Sequence, residues 1–244
     1  MPIFKLSDYI IFPPPELARY DGLLAVGGDL TPARLLLAYE MGIFPWYTED
    51  DIDILWWAPD PRLILELDEF HISRRLQREM RKNIFQVTFD QSFGEVINCC
   101  ATSRPETWII PKMQTAYCRL HELGYAHSVE CRLDNQLVGG LYGVSIGGVF
   151  FGESMFSRVT NSSKIALAGL VARLKEWNFD FIDCQVKTDH LISLGAREIP
   201  GPMFFNRLQS SVRRPSRRGS WQLKVPAADD AVIPNVDREA RDPS

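Results

Sequence analysis

The sequence lacks any long apolar run. No stretch approaches the roughly 20 consecutive apolar residues that a membrane-spanning helix needs. Residues 1–9 carry Lys5 and Asp8 and have no apolar segment of the kind found in secretory signals. We therefore expect a cytoplasmic protein that does not enter a membrane. Separately, we expect a monomer.

Cysteine pairs with metal-binding spacing are also missing. The five cysteines are Cys99, Cys100, Cys118, Cys131 and Cys184. Their number is odd, and neither a C-x-x-C pair nor a Cys/His cluster occurs among them. The pattern predicts buried thiols in a reducing compartment, without a metal site and without a cofactor.

The chain has no overall excess of positive charge, since 27 Lys and Arg residues stand against 31 Asp and Glu residues. Positive charge is nevertheless concentrated locally. Residues 71–82 have helical periodicity, with Leu76 on the apolar side and a basic face opposite it. That face is either an ordinary solvated surface or a surface that follows phosphates. A second basic cluster, Arg213, Arg214, Arg217 and Arg218, is expected to be a flexible tail.

Tryptophan and proline are abundant in the first quarter of the chain. Trp46, Trp56 and Trp57 lie close in sequence to three prolines, Pro45, Pro59 and Pro61. The pattern is typical of a rigid loop packed by its own aromatic rings. It is equally typical of a preformed wall on which a nucleobase stacks.

The central and C-terminal parts alternate between strand and helix patterns. Strands are predicted at residues 85–89, 127–131, 137–144, 149–152 and 179–186. Helices are predicted at 32–40, 93–100, 114–123, 161–177 and 189–194. The class is therefore α+β. A meander, then a helix, a strand and a short helix resembles the C-terminal part of the acetyltransferase (GNAT) fold, whose members transfer acyl groups to amines. The Q/R-x-x-G-x-G/A loop that receives coenzyme A is absent before residue 161, so acyl transfer without coenzyme A is expected.

Seven short motifs occur in order along residues 12–185. They are Phe12-Pro13-Pro14, residues 22–30 (GLLAVGGDL), residues 42–46 (GIFPW), residues 55–62 (LWWAPDPR), Thr107-Trp108-Ile109, residues 151–157 (FGESMFS) and residues 182–185 (IDCQ). Through these motifs the chain resembles the bacterial leucyl/phenylalanyl-tRNA-protein transferases, from about Phe12 to Gly201.

The resemblance implies a small N-terminal domain, residues 1–62, and a GNAT-like catalytic domain, residues 63–221. Residues 222–244, rich in Ala, Pro and Asp, are expected to be a disordered tail. The implied activity moves Leu or Phe, and Met less well, from aminoacyl-tRNA to proteins that begin with Arg or Lys. The new N-terminus marks those proteins for degradation in the N-end rule pathway.

The same resemblance implies three catalytic residues, Glu153, Asp183 and Gln185. The reaction is aminolysis of an ester, and the amine must lose a proton to attack. We expect Asp183 to accept a hydrogen bond from the amine, with Gln185 on the same strand face. Glu153 is either a surface or salt-bridged glutamate or a polar anchor for a substrate amine.

Two further sets of residues are implied. The pocket for the Leu or Phe side chain comprises Leu141, Phe150, Met155, Leu167, Leu174 and Ile182, although such residues would be buried in any case. The tRNA-binding set comprises Trp46, Trp108, Arg74, Arg75, Arg78, Arg81 and Lys82. One departure from the family pattern is Thr188, which stands where an Asn follows the Asp-x-Gln element.

Three other functions remain open at this point. A coenzyme A-dependent N-acetyltransferase shares the fold but lacks its loop here. A non-catalytic RNA-binding module would use the basic helix and tryptophans, and would leave Glu153, Asp183 and Gln185 unused. A peptidoglycan-type aminoacyl transferase would have similar chemistry and another acceptor.

Overall fold

The computed structural model describes residues 3–104 and 106–222, which form two sheets, seven α-helices and two short 3-10 helices. The strands are β1 (Phe4–Leu6), β2 (Leu23–Gly27), β3 (Phe44–Pro45), β4 (Leu55–Trp57), β5 (Arg62–Glu66), β6 (Phe85–Phe89), β7 (Ala126–Leu133), β8 (Gln136–Ile146), β9 (Val149–Ser157), β10 (Phe181–Gln185) and β11 (Arg197–Ile199). The helices are α1 (Pro32–Glu40), α2 (Arg74–Arg81), α3 (Phe93–Thr102), α4 (Pro111–Glu122), α5 (Ser162–Glu176), α6 (Asp189–Ile192) and α7 (Gly201–Val212).

The N-terminal part is built on a four-stranded sheet in the order β1-β2-β4-β3. Trp56 on β4 is fully buried, and its indole N–H donates to the carbonyl of Gly27 at 2.8 Å. Arg34 on α1 is also fully buried and donates to the carbonyl of Ser7 at 2.9 Å. These two side chains bind the surrounding loops to the small sheet.

The larger sheet has seven strands in the order β11-β5-β10-β9-β8-β7-β6. Strands β7 to β9 form the predicted antiparallel meander, and β6 pairs antiparallel with β7. The turn between β7 and β8 is Asp134-Asn135, both with positive φ, as two-residue hairpin turns require. Helix α5 connects β9 to β10, and this pair is parallel. The α+β class and the order of elements expected from the sequence are confirmed.

Both faces of the seven-stranded sheet are covered. One apolar core joins the sheet to α1, α3, α4, α7 and the small sheet. The other core lies between the sheet and α5, with α2 attached through Leu76. Since the first core contains Trp56 of β4 together with Tyr117 and Phe151, the small sheet and the large one share it. The domain limits at residues 62 and 63 stay a prediction; Arg62 is the first residue of β5 in the larger sheet.

Some element limits differ from the sequence expectation. Helix α2 begins at Arg74 and not at residue 71, because Ser73 caps it by accepting the N–H of Leu76. Strands β1 to β5 and β11 and helix α7 had no clear periodic signal, since most are short and lie near prolines or glycines. None of the described helices is long and apolar enough to span a membrane.

The second basic cluster is ordered, so the expectation of a flexible tail for residues 213–218 is wrong. Trp221, just beyond it, is buried and stacks on His127 with ring centroids 3.8 Å apart. Arg214 pairs with Asp180 at 2.8 Å. The buried ring of Trp221 and the Arg214–Asp180 pair together hold the segment against the rest of the fold. Of the predicted tail, Gln222 is described, and residues 223–244 lie outside the described residues.

Candidate active site

A pocket opens where β9 and β10 separate. Their parallel pairing ends at Asp183 opposite Phe151. Beyond that point residues 152–155 of β9 and residues 184–188 line opposite sides of a cavity of about 480 Å³. The gap between the two strands therefore creates the site, and it exposes main-chain and side-chain groups of both strands to a ligand.

Most of the pocket wall is apolar. Of the residues predicted to select Leu or Phe, Leu141, Phe150, Met155, Leu167 and Ile182 line it. Leu174 does not line it; it lies two turns further along α5, fully buried in the core. The structure adds Leu65, Leu170 and Leu191 to the wall. These three lie on β5, α5 and α6, and the sequence alone did not predict that the three elements meet at one pocket.

Trp46 and Trp108, which were predicted to bind tRNA, both line the pocket; their contact with tRNA stays a prediction. Trp46 is 42% exposed. Its ring lies against that of Trp57 at 5.6 Å, and the Trp57 indole N–H donates to the Trp46 carbonyl at 2.7 Å. Of the three clustered tryptophans, only Trp46 faces the pocket. Packing of the cluster by its own rings is therefore observed, with Trp57 against the exposed ring of Trp46. Stacking of a nucleobase on Trp46 stays a prediction.

The polar corner of the pocket is centred on Glu153. Its Oε1 accepts the hydroxyl of Tyr39 at 2.8 Å and the side-chain amide of Gln185 at 3.2 Å. Its Oε2 accepts the hydroxyl of Tyr117 at 2.9 Å. No salt bridge to Glu153 occurs among the described residues, and burial raises the pKa of this carboxyl to about 7.

The hydroxyls of Tyr39 and Tyr117 also hydrogen-bond each other. Three oxygen–oxygen contacts thus close a ring with Glu153. When Glu153 is ionised, the two tyrosine hydroxyls have only two protons for the three contacts. A proton on Glu153 provides the third. The ring can therefore accept one proton without losing a contact. The raised pKa of Glu153 comes from burial, against the lowering effect of the two tyrosine hydrogen bonds.

Asp183 is placed differently. It is fully buried and does not line the pocket. Arg62, also buried, grips it with Nε–Oδ1 and Nη2–Oδ2 distances of 2.8 and 2.7 Å. The guanidinium lies between the rings of Phe44 and Phe204, at 4.9 and 4.7 Å from their centroids. Asp183 is thus an ion-paired group behind the pocket wall.

Gln185 reaches the pocket through a β-bulge. The register between β10 and β5 shifts by one residue between Asp183 and Gln185. Gln185 has a φ of +55°, which is uncommon for a residue other than glycine. The extra residue places Cys184 and Gln185 together in the pocket wall. The expectation that Asp183 and Gln185 share one face is therefore wrong, because the bulge interrupts the alternation of the strand.

The remaining polar lining residues include Thr188 and Cys184. Thr188 caps α6 by accepting the N–H of Leu191 at 3.2 Å. Since Asn and Thr are both good helix caps, this departure from the family pattern keeps the local structure. Burial raises the pKa of the Cys184 thiol, so this group stays protonated.

The basic face of α2 is exposed, and none of its five predicted cations lines the pocket. Lys82 pairs with Glu79 on the same helix at 3.1 Å. The exposed cations are Arg74, Arg75, Arg78, Arg81 and Lys82. Helix α2 packs through Leu76 against the same core as α5. Since Leu167 of α5 lines the pocket, α2 is connected to the pocket through that core.

Three residues of the site were missed by sequence reasoning: Arg62, Tyr39 and Tyr117. Arg62 ends the LWWAPDPR motif, which had no assigned chemistry. Tyr39 and Tyr117 each occupy an apolar position of an amphipathic helix. A tyrosine on a buried helix face is the available signal, since its hydroxyl requires a partner when buried.

Comparisons with known proteins agree with the motifs. Residues 64–209 match the family described as leucyl/phenylalanyl-tRNA protein transferase, and residues 28–60 match the N-terminal domain of that family. A leucyl/phenylalanyl-tRNA–protein transferase of Desulforapulum autotrophicum is 53% identical over 225 residues, which cover 91% of this chain and 98% of the relative. That of Syntrophus aciditrophicus is 56% identical over 233 residues, covering 94% and 97%.

Among solved structures, a GCN5-related N-acetyltransferase from Kribbella flavida matches 71% of this chain and 63% of that chain. Its sequence identity is 14% and its TM-score 0.35, too low to argue from. The sequence relatives are decisive because they match nearly the whole chain. The chain belongs to the leucyl/phenylalanyl-tRNA protein transferase family of aminoacyltransferases.

Proposed function

We propose that this protein transfers Leu or Phe, and Met less well, from aminoacyl-tRNA to the N-terminal amine of proteins beginning with Arg or Lys. The observation that carries the proposal is an apolar pocket whose polar corner, Glu153 with Gln185, lies beside a tryptophan rim. We place the reaction in the cytoplasm, in a monomer, and its product in the N-end rule degradation pathway.

The apolar wall accounts for selection of the transferred residue. Burial of a Leu or Phe side chain is worth roughly 1.5–3 kcal/mol. The wall residues Leu141, Leu167 and Ile182 come from β8, α5 and β10. A β-branched side chain is disfavoured by shape, by about 1–3 kcal/mol.

Glu153 and Gln185 hold the reacting amine. The amine nitrogen forms the amide bond with the ester carbonyl carbon, and the bond from that carbon to the ribose oxygen breaks. The proton that the nitrogen loses ends on the ribose oxygen. Glu153, with a pKa of about 7, takes up that proton and releases it within the same site.

The tRNA is held outside the pocket. Trp46 and Trp108 stack on the terminal adenosine, and the cations of α2 contact phosphates of the acceptor stem. Such contacts do not depend on sequence, as acceptance of several tRNAs requires.

The test is transfer of radiolabelled Phe from Phe-tRNA to a reporter protein with N-terminal Arg, compared with the same reporter beginning with Gly. Wild type should label the Arg reporter only, and ribonuclease should abolish labelling. Glu153→Gln should lower kcat by about 10²–10⁴-fold, the usual contribution of a positioned proton acceptor. No label from Phe-tRNA or Leu-tRNA on Arg or Lys reporters would refute the proposal.

A coenzyme A-dependent acetyltransferase is the second candidate, and the N-terminus of α5 argues against it. Ser162 at this N-terminus is fully buried and donates to the carbonyl of Val138 at 2.8 Å. A Cβ on Gly139 would lie 2.2 Å from its hydroxyl. The Ser162 hydroxyl at the start of α5 is therefore turned toward β8 and is not available to a pyrophosphate. Turnover of acetyl-CoA by the purified protein would favour this candidate.

A further inference from the structure

We infer that Arg62 is a positioning residue for the transfer reaction: it fixes Asp183, Asp183 fixes the bulge at Gln185, and the Gln185 amide is thereby held at Glu153. The inference rests on the proposed function of the pocket. It assigns Asp183 to the framework of the site and not to proton transfer.

The first step is the geometry of the pair. Arg62 and Asp183 are 121 residues apart, on the neighbouring strands β5 and β10, and both are buried. A guanidinium held by two parallel hydrogen bonds has a fixed orientation. Phe44 and Phe204 lie against the guanidinium, so it can neither shift nor rotate freely.

The second step concerns the oxygens of Asp183. Oδ2 accepts from Arg62, and Oδ1 accepts from both Arg62 and the backbone N–H of Gln185, the latter at 3.0 Å. A proton on Asp183 would neutralise the buried partner of the Arg62 guanidinium. Asp183 is also fully buried and does not line the pocket, so it is not placed to take the proton of the amine.

The third step is the conformation of Gln185. A positive φ is unfavourable for glutamine, so the surrounding contacts must stabilise it. The hydrogen bond from the Gln185 N–H to Asp183 does so directly. In this conformation the side chain turns into the pocket, and its amide donates to Glu153 at 3.2 Å. A displacement of Asp183 is thus transmitted to the polar corner.

The chain offers a matched control. Arg207 on α7 grips Glu66, also on β5, with a comparable two-pronged contact, and it lies over the ring of Phe181. Neither residue lines the pocket. An arginine–carboxylate pair away from the pocket is therefore available on the same strand, although it is partly exposed and its Glu66 also pairs with Arg197.

The experiment measures kcat and KM for Phe transfer, together with Phe-tRNA binding, in folded samples of wild type, Arg62→Lys, Arg62→Met, the double variant Arg62→Met/Asp183→Asn, and Arg207→Met. Arg62→Met should lower kcat about 100-fold, the effect of a misplacement near 1 Å, with unchanged tRNA affinity. Arg62→Lys should lower kcat by less than Arg62→Met does. The double variant should have a higher kcat than Arg62→Met. Its neutral side-chain amide at position 183 still accepts the Gln185 N–H, and no uncompensated charge is left buried. Arg207→Met should stay within about threefold of wild type.

Two outcomes overturn the inference: a kcat for Arg62→Met equal to that of Arg207→Met, or a double variant slower than Arg62→Met, which would show that the Asp183 carboxylate acts by itself. Should Arg62→Met not fold, Arg62→Lys and the double variant decide. The side-chain amide of Gln185 is also followed by NMR, identified by its loss in Gln185→Ala. This signal should shift in Arg62→Lys and not in Arg207→Met. An inactive wild type would refute the proposed function alone, since the NMR comparison still tests the positioning.

Discussion

Glu153 and Asp183 lie on adjacent strands of one sheet, yet their surroundings differ in kind. Asp183 is neutralised by the guanidinium of Arg62, within hydrogen-bonding distance of both its oxygens. Glu153 has two tyrosine hydroxyls and one amide, none of which carries a positive charge. Asp183 is therefore held in a buried ion pair, whereas burial without a cationic partner raises the pKa of Glu153 to about 7. The nature of the partners, more than the depth of burial, separates a structural carboxylate from one that can exchange a proton.

The largest expected effect comes from removing the charged partner. Arg62→Met leaves Asp183 as a buried uncompensated charge and should lower the free energy of unfolding by about 3–5 kcal/mol. Tyr117→Phe removes only a neutral hydrogen bond from Glu153 and should cost about 0.5–1.5 kcal/mol. Urea unfolding at pH 7 measures both. Equal losses would show that the two carboxylates are held in the same way.

Sequence reasoning reached the elements whose signals are local. Helix α5 and the hairpin at Asp134-Asn135 follow from helical periodicity and from a turn pair that accepts positive φ. The chemical types in the pocket followed from the resemblance. Leu174 shows the limit of that approach, because its periodicity on α5 does not distinguish the pocket from the core below it.

The ion pair and the bulge could not be obtained in this way. Arg62 and Asp183 meet only because β5 is placed beside β10, a pairing with a separation of 121 residues and no sequence signal. The bulge is one extra residue, Cys184, in a run that reads as a regular strand. Tyr39 and Tyr117 converge on Glu153 from two helices, so their joint role requires the tertiary structure.

A second, smaller effect is the pH dependence of stability. Glu153 has a folded pKa of about 7, above the ordinary value near 4.3 of an unfolded chain. Between these values the folded protein binds more protons than the unfolded one, so its free energy of unfolding should fall as pH rises from about 4.3 to about 7. Glu153→Gln lacks this contribution. As pH rises across this window, the urea midpoint of wild type should therefore fall relative to that of Glu153→Gln. A constant difference between the two midpoints would show that Glu153 titrates normally.

The smallest effect tests one tyrosine. Groups that act on the charge of Glu153 are Tyr39 on α1, Tyr117 on α4, Tyr142 on β8, Arg62 on β5 and Asp183 on β10. The hydrogen bond from Tyr39 lowers the pKa of Glu153, against the larger effect of burial.

In Tyr39→Phe the pKa of Glu153 should rise. The midpoint of the kcat–pH profile, near 7 in wild type, should move up by about 0.4–1 unit, which is the equivalent of one neutral hydrogen bond. Because kcat requires ionised Glu153, activity should increase with pH in both proteins and meet at high pH. A midpoint that does not move, or moves down, would mean that the titrating group is not the carboxyl held by Tyr39. Profiles for transfer at saturating Phe-tRNA make the distinction.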